Sequence, residues 1–291
     1  MAWRRTASIV ANIQLIPSQR IILSARGARD SLTSRAFQDV VAGIGWWRLW
    51  TLLGWNDISQ RYRRSMLGPF WMTASMAVMV LSLGVLYGEL FGIPLENFLP
   101  YLCVGILVWN FISSFLLEGG ALFTGSESYI KQVKLPLSIY VFRSCWSKLI
   151  IFAHNAVIYV GVVIFFGIWP GATVLLAIPG LLLLTLDCAL MTLFIGMVSS
   201  RFRDIPQLIG SVVQIVFFVT PIMWKPELLQ HRTYIATLNP FFQMIEIVRA
   251  PLLGSVPSLK TYLAVLAITL INIVIVGAFF VRFRSRIAYW V

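Results

Sequence analysis

The sequence predicts an all-α membrane protein. It has six transmembrane helices, an N-terminal amphipathic helix in the membrane interface, short re-entrant helices between the fifth and sixth spans, and both termini in the cytoplasm. Three observations carry that expectation. Of the 291 residues, 59% are apolar and only 12% charged, where a soluble domain carries about 25% charged residues. The mean hydropathy of +0.84 leaves more apolar surface than one water-soluble core can hide. The apolar residues fall in runs of about 20, the length that crosses a bilayer as a helix. The net charge of +12 is unevenly spread: 19 of the 23 Lys and Arg lie in 1–64, 118–148, 200–206 and 282–291, and the loops 92–97 and 170–171 hold none. Basic loops stay on the cytoplasmic side, so these four segments share it. A soluble protein so basic would suggest nucleic acid; here no nucleic-acid partner is expected.

The elements follow in order. Residues 1–45 read as a basic, partly disordered cytoplasmic tail. Arg4 and Arg5 precede only a weak apolar stretch, broken by Asn12, Gln14 and Pro17, which makes a poor secretory signal. A short amphipathic helix in this tail stays open. Residues 46–66 mix Trp46, Trp47, Trp50, Leu53 and Trp55 with Arg48, Asn56, Asp57, Gln60, Arg61, Arg63 and Arg64. Tryptophan with arginine is the composition of a helix lying in the headgroup layer. Within RYRRSMLGPFW, Gly68-Pro69 turns the chain into the bilayer at Phe70. The alternative is an ordinary basic flank without a separate surface helix. The transmembrane unit runs 67–284, with spans near 70–91, 98–117, 149–169, 172–199, 207–224 and 261–281. Pro179 is expected to kink the first half of the fourth. Residues 285–291 form a cytoplasmic tail. Between the fifth and sixth spans, Asn239 suits a helix N-cap and Pro240 a first helical residue. Phe241, Met244, Ile245 and Val248 recur at helical spacing over a stretch too short to span. Glu246 and Arg249 are i,i+3 neighbours able to pair.

Chemistry is sparse. No Gly-Lys dipeptide occurs, so no GxxxxGK(S/T) phosphate loop binds ATP. HExxH, GxSxG and paired metal-ligand spacings are missing as well. No catalysis by this chain alone, no bound cofactor and no metal are expected. Cys103, Cys145 and Cys188 lie in or beside apolar runs and read as packing residues. Asp187 sits near the centre of the fourth span, where an acid costs about 2.5–3.5 kcal/mol on insertion scales. It serves either a proton relay with His154 or a polar contact between helices. Tyr87, Phe91, Trp109, Phe111, Phe115, Phe217 and Phe218 sit in spans and either line a conduit for sugar-like cargo or simply pack. The first basic loop, 118–143, carries a short helix with Tyr129, Ile130, Lys131 and Lys134. It suits docking of a soluble partner or stands as a solvated loop. The second, 199–208, is a tight turn with Arg201, Arg203 and Asp204.

Five stretches, in order, resemble a known family: RYRRSMLGPFW, KQVKLP, SRFRD, FFVTPIMW and NPFFQMIEIVRAPLLG. Together they are similar to ABC-2 type permeases that export polysaccharides such as O-antigen, capsule or teichoic acid, over about 46–284. The resemblance implies a half-transporter in the bacterial inner membrane. Two copies form the pore, and two separate nucleotide-binding subunits hold the ATP and Mg. It implies that the surface helix, through residues such as Arg48 and Asp57, and the first-loop helix meet those subunits. Arg201 and Arg203 lie near the inner mouth, and the helices around Phe241, Phe242, Glu246 and Arg249 close the outer end. The implied cargo is a lipid-linked glycan, whose diphosphate head Arg61, Arg63 and Arg64 could attract. An ABC-2 permease for a drug or lipid has the same architecture. A proton-coupled secondary transporter would instead use Asp187 and His154.

Overall fold

The computed structural model describes residues 32–62 and 70–291, and everything regular among them is helical. Among the described residues, five helices are long and apolar enough to cross a membrane. We label the α-helices α1 (Leu32–Gly45), α2 (Trp47–Tyr62), α3 (Phe70–Phe91), α4 (Leu95–Gly119), α5 (Glu127–Gln132), α6 (Ser138–Phe166), α7 (Ala177–Arg201), α8 (Ile205–Val219), α9 (Thr233–Thr237), α10 (Pro240–Leu252), α11 (Leu259–Phe283) and α12 (Ile287–Trp290).

The axis is α4. In its most apolar stretch 78% of the residues are buried, against 17–28% in the other four spans. It packs on α3, α6, α7, α8 and α10, so it meets protein on every side. Against it, α3 presents Met76, Val80, Gly84 and Gly88. That is an i,i+4 stripe whose small members let the backbones approach. A side chain on Gly84 would begin 3.2 Å from Leu99 Cδ1.

α6 begins eleven residues before the expected third span and has 29 residues. At 1.5 Å per residue that is about 44 Å, against a hydrocarbon core of about 30 Å. Hydropathy misses its polar first turns because their partners are other helices. It ends at Gly167, whose φ of 64° supplies the left-handed residue that stops a helix. Pro179, expected to kink the first half of the fourth span, stands at the start of its α-helix. A two-turn 3₁₀ segment, Gly171–Leu176, precedes α7, and Pro179 falls in the first turn, where its missing N–H costs nothing. The segment expected as the fifth span forms only the 15-residue α8, which ends at Thr220 before Pro221. Its length of about 22 Å falls short of the bilayer core.

The stretch 32–45, expected within the tail, is a helix docked on α6 and α11. Asp39 explains the docking. Its carboxylate accepts from the backbone N–H of Leu137 at 3.1 Å and of Ser138 at 3.0 Å, and Arg284 Nε donates to it at 2.7 Å. It therefore satisfies N–H groups at the start of α6 that have no partner within the helix. The Ser138 hydroxyl returns a bond to the Asp39 carbonyl at 2.8 Å. Gly43 lies so close that a Cβ there would stand 2.1 Å from Ser138 Oγ. The C-terminal α12 packs on α5, and Lys131 Nζ donates to the Val291 carbonyl at 3.2 Å. The N-terminal helix, the first loop and the C-terminal segment thus gather at one end of the bundle, the basic end.

Asp187, with no exposed surface, joins α7 to α11. It accepts from Thr269 Oγ1 and Asn272 Nδ2, each at 2.8 Å. His154 lies on the exposed face of α6, its Nδ1 3.0 Å from the Ile150 carbonyl of its own helix. The polar-contact reading of Asp187 matches this arrangement. Such bonds in membranes average about 0.6 kcal/mol and reach about 1.7. Asp187→Ala should therefore lower unfolding stability in mixed detergent by about 1–3 kcal/mol. Asp187→Asn should keep most of it, because its carbonyl still accepts.

Candidate functional site

Two assemblies hold the residues singled out from the sequence, one at each end of the bundle. At the basic end, α5 stands clear of the spans. Tyr129 is 52% exposed, Lys134 is exposed, and Ile130 is half-buried against the cluster that holds Phe123 and Tyr140. Lys131 pairs with Glu127 one turn back at 2.6 Å. The hydrogen bond and charge of Lys131, with a smaller contribution from Arg203, hold the Glu127 carboxyl below the usual carboxylate range. The second basic loop lies beside the first, for a Cβ on Gly120 would stand 2.9 Å from the Pro206 ring. Arg201 and Arg203 are exposed there, as is Asp204.

α2 lies against α6 through Gly54 and Ile58, both buried. Trp46, Trp47, Leu52 and Trp55 stay exposed. Arg48 is exposed and stands 5.4 Å from the Trp47 ring centroid. Asp57 has a partner within the chain. Arg143 of α6 donates Nε to it at 2.6 Å, and its Nη2 joins the same carboxylate. The pair is a two-pronged clamp between the surface helix and the third span. Arg63, Arg64 and the Gly68-Pro69 elbow lie outside the described residues, and so does the Arg61 side chain.

At the far end, Asn239 caps α10 as its sequence position suggests, accepting from the Phe241 and Phe242 backbone N–H at 2.9 and 3.4 Å. Its amide reaches the Thr220 hydroxyl at 3.0 Å. The helix packs between α4, α7 and α11, and Phe242, Met244, Ile245, Ile247 and Val248 are all buried. Its focus is Arg249, 1% exposed. Nε and Nη2 donate to Glu246 Oε2 at 2.9 and 2.6 Å, which realises the i,i+3 pair, and Nη1 donates to the Pro221 carbonyl at 2.9 Å. The guanidinium carbon lies 4.0 Å from the Tyr101 ring centroid, a cation–π distance. The Tyr101 hydroxyl stands 3.2 and 3.1 Å from the Pro221 and Trp224 carbonyls. Gly105 leaves room, since a Cβ there would meet the Ile222 carbonyl at 3.2 Å and Arg249 Nη1 at 3.6 Å. Arg249 is therefore a brace joining α10, α4 and the turn after α8.

The aromatic residues expected along a conduit divide. Trp109, Phe111 and Phe115 are 5% exposed or less. Trp109 packs on Phe217 and Phe241 at 5.8 and 6.0 Å, and Phe111 on Phe115 and Phe152 at 5.1 and 5.2 Å. These three are core rings and face no passage within the chain, because α4 is enclosed. Tyr87 and Phe91 are half-buried and touch each other at 5.5 Å. Phe217 is partly buried, and Phe218 is 58% exposed on α8.

Composition did not reveal Asp39, Tyr101 or Arg143. Asp39 was the lone acid amid Phe37, Val40, Val41 and Ile44, a helical pattern inside a stretch read as tail. Their partners stand far away in sequence, so no local spacing marked them.

The family profile described as ABC-2 type transporter matches residues 48–253. Two relatives carry the same name, O-antigen export system permease protein RfbA. The one from Klebsiella pneumoniae is 21% identical over 239 residues, covering 80% of this chain and 91% of its own. The one from Myxococcus xanthus is 23% identical over 194 residues, covering 65% and 74%.

Arg249→Lys gives a test of the brace. Lysine keeps the charge but loses the fork and the flat stacking face, so it should not rescue the site. Breaking a buried ion pair costs about 3–5 kcal/mol. Arg249→Lys and Arg249→Ala should both lower the unfolding temperature measured by scanning fluorimetry in detergent, with Ala the lower.

Proposed function

Because the chain belongs to the ABC-2 type transporter family, and is a multi-pass protein of the bacterial inner membrane, we propose that it is the channel-forming permease subunit of an ATP-driven exporter. The cargo is a lipid-linked polysaccharide, O-antigen or a similar cell-surface glycan. The observation that carries the reading is the similarity to a protein named as an O-antigen export permease, across 91% of that protein's length. The missing phosphate loop agrees with it, since the energy must then come from another chain.

In this reading two copies form the pore over two nucleotide-binding subunits, which bind the ATP and Mg. The chain crosses six times, with the short α8 as the fifth crossing and both termini in the cytoplasm. The grouping of basic segments at one end supports that orientation. α10 and its neighbours re-enter from the outer side. Of α8 only Val213 is fully buried. Its exposed face, Phe218 included, is left for lipid or for the second copy.

ATP binding closes the partner dimer and pushes α5 through Tyr129, Ile130 and Lys131, together with Lys134 just past the end of that helix. The push travels along α6, and the Asp57–Arg143 clamp carries it to the surface helix. The two copies of α3 and α8 then shift, and the polymer passes between them. Arg61, Arg63 and Arg64 draw in the diphosphate head of the carrier lipid.

The test is gentle-detergent purification from native membranes with mass spectrometry and an ATPase assay, alongside surface-glycan staining of cells lacking the chain. A co-purifying chain with a phosphate loop, ATP hydrolysis, and loss of surface glycan are expected. A chain that purifies without an ATPase, from cells whose glycan is unchanged, would overturn the reading. Tyr129→Ala should weaken capture of the ATPase subunit about tenfold or more. Replacing Arg61, Arg63 and Arg64 together by Gln should reduce export while the complex still assembles.

A further inference from the structure

On the exporter reading α5 takes the load from the ATPase subunit, yet little within it holds it in place. It is six residues long, and none of them is buried. A helix so short does not persist by itself in water. The chief elements packed on it are the 3₁₀ turn Thr124–Ser126, which leads into it, and α12. What fixes α5 against the bundle therefore comes largely from α12.

α12 belongs to the segment 284–291, most of which reads as a tail in the sequence. The segment is anchored along its length. Arg284 Nε donates to Asp39 Oδ2 at 2.7 Å. Ile287 has no exposed surface, and Val291 is 7% exposed. Both lie in the apolar cluster that holds Phe123, Met197 and Phe280, and Ile130 of α5 packs against that same cluster. Trp290 packs on Phe283 of α11, with the ring centroids 5.7 Å apart.

A polar contact completes the joint. Lys131 Nζ donates to Glu127 Oε1 at 2.6 Å and to the Val291 carbonyl at 3.2 Å. The last carbonyls of a helix have no partner within it, and a lysine at that end satisfies one of them. The Lys131 side chain is half exposed, so this bond adds little by itself. Burial of Ile287 and Val291 supplies most of the strength, and the lysine sets the register between α5 and α12.

We propose that the segment 284–291 is a brace that fixes the position of α5 and gives a push on that helix a second route into the bundle, to α7 and α11. α12 packs on α7 as well as on α5, and Arg284 follows directly on α11. Without the brace α5 joins the spans chiefly through its own loop, and a push on it would go into bending that loop. Ile287 and Val291 are thus positioning residues, acting on coupling through α5. The role in coupling rests on the exporter reading; the hold on α5 does not.

The test has two arms. In the first, hydrogen exchange is followed on the full-length chain alone in detergent. Ile287→Ala with Val291→Ala should quicken exchange of the α5 amides about tenfold and leave that of α4 unchanged. Should α4 also loosen, Val291→Ala alone replaces the double change, with a smaller effect confined to α5. The swap Ile287→Val with Val291→Ile keeps the apolar volume and should restore slow exchange. In the second arm, the double alanine variant should still capture the ATPase subunit and hydrolyse ATP, while the surface glycan of its cells falls several-fold. Tyr289→Ala, at a side chain 87% exposed, should change neither arm. Unaltered α5 exchange in both alanine variants would overturn the brace. So would faster α5 exchange with surface glycan unaltered, because α5 would then work unbraced. Lost ATPase capture in Tyr289→Ala with α5 exchange unchanged would make the segment a docking surface instead. A chain that captures no ATPase fails the exporter reading, and the first arm, which needs no partner, still decides whether the segment holds α5.

Discussion

One buried guanidinium organises the far end of this protein. Arg249 has 1% of its surface exposed, and an ion without partners at that depth would carry a desolvation cost of several kcal/mol. Every feature around it offsets that cost. Glu246 supplies the opposite charge from the same helix, the Pro221 carbonyl takes Nη1, and the Tyr101 ring covers the flat face. These partners come from three elements, so the interaction holds only when all three are in place. α4 must be bare at Gly105, the chain after α8 must turn at Pro221, and α10 must lie at one rotation. The short helices between α8 and α11 are therefore not a loose cover. They are locked to the most buried helix of the bundle.

The basic end is held by a different device with the same logic. Asp39, also buried, satisfies two backbone N–H groups at the start of α6 and one guanidinium from the C-terminal segment. A helix N-terminus carries partial positive charge, so the carboxylate is stabilised there even away from water. Three segments remote in sequence meet at this one side chain. The Asp57–Arg143 pair adds a second fastening between α6 and the surface helix. α6 thus receives anything that pushes on the first loop and hands it to α1, α2 and the end of α11.

What the sequence disclosed follows from the range of each interaction. Spans reveal themselves because hydropathy is a local property. The Asn239 cap and the Glu246–Arg249 pair were legible because their partners lie within one turn. Asp39 bonds Ser138 across 99 positions, and Arg249 meets Tyr101 by folding alone, so neither left a local pattern. Trp109, Phe111 and Phe115 stayed open between lining and packing for another reason. α4 is apolar all round, and composition cannot tell a ring facing protein from a ring facing an opening. The polar start of α6 escaped notice because hydropathy counts Ser138 to Lys148 as loop. Their side chains in fact find partners on α1, α2 and α4.

Both ends being fastened limits where motion can occur. α10 is tied to α4 by Arg249, α11 to α7 by Asp187, and α6 to α1 and α2 by Asp39 and Arg143. Each of these ties is buried or partly buried, and loosening it leaves a charged or polar group unpaired. α3 and α8 are held otherwise. α3 meets its neighbours through a narrow stripe of Met76, Val80, Gly84 and Gly88. α8 is short, ends at a proline-containing turn, and buries only Val213 completely. Apolar contacts of this kind can slide, because lipid is as good a neighbour for the same side chains as protein. A conformational change driven from α5 would therefore spend little by moving α3 and α8 and much by moving anything else. The rigid frame and the two lightly held helices together place the least costly movement at the edge of the bundle, beside α3 and α8, and not in the packed centre around α4.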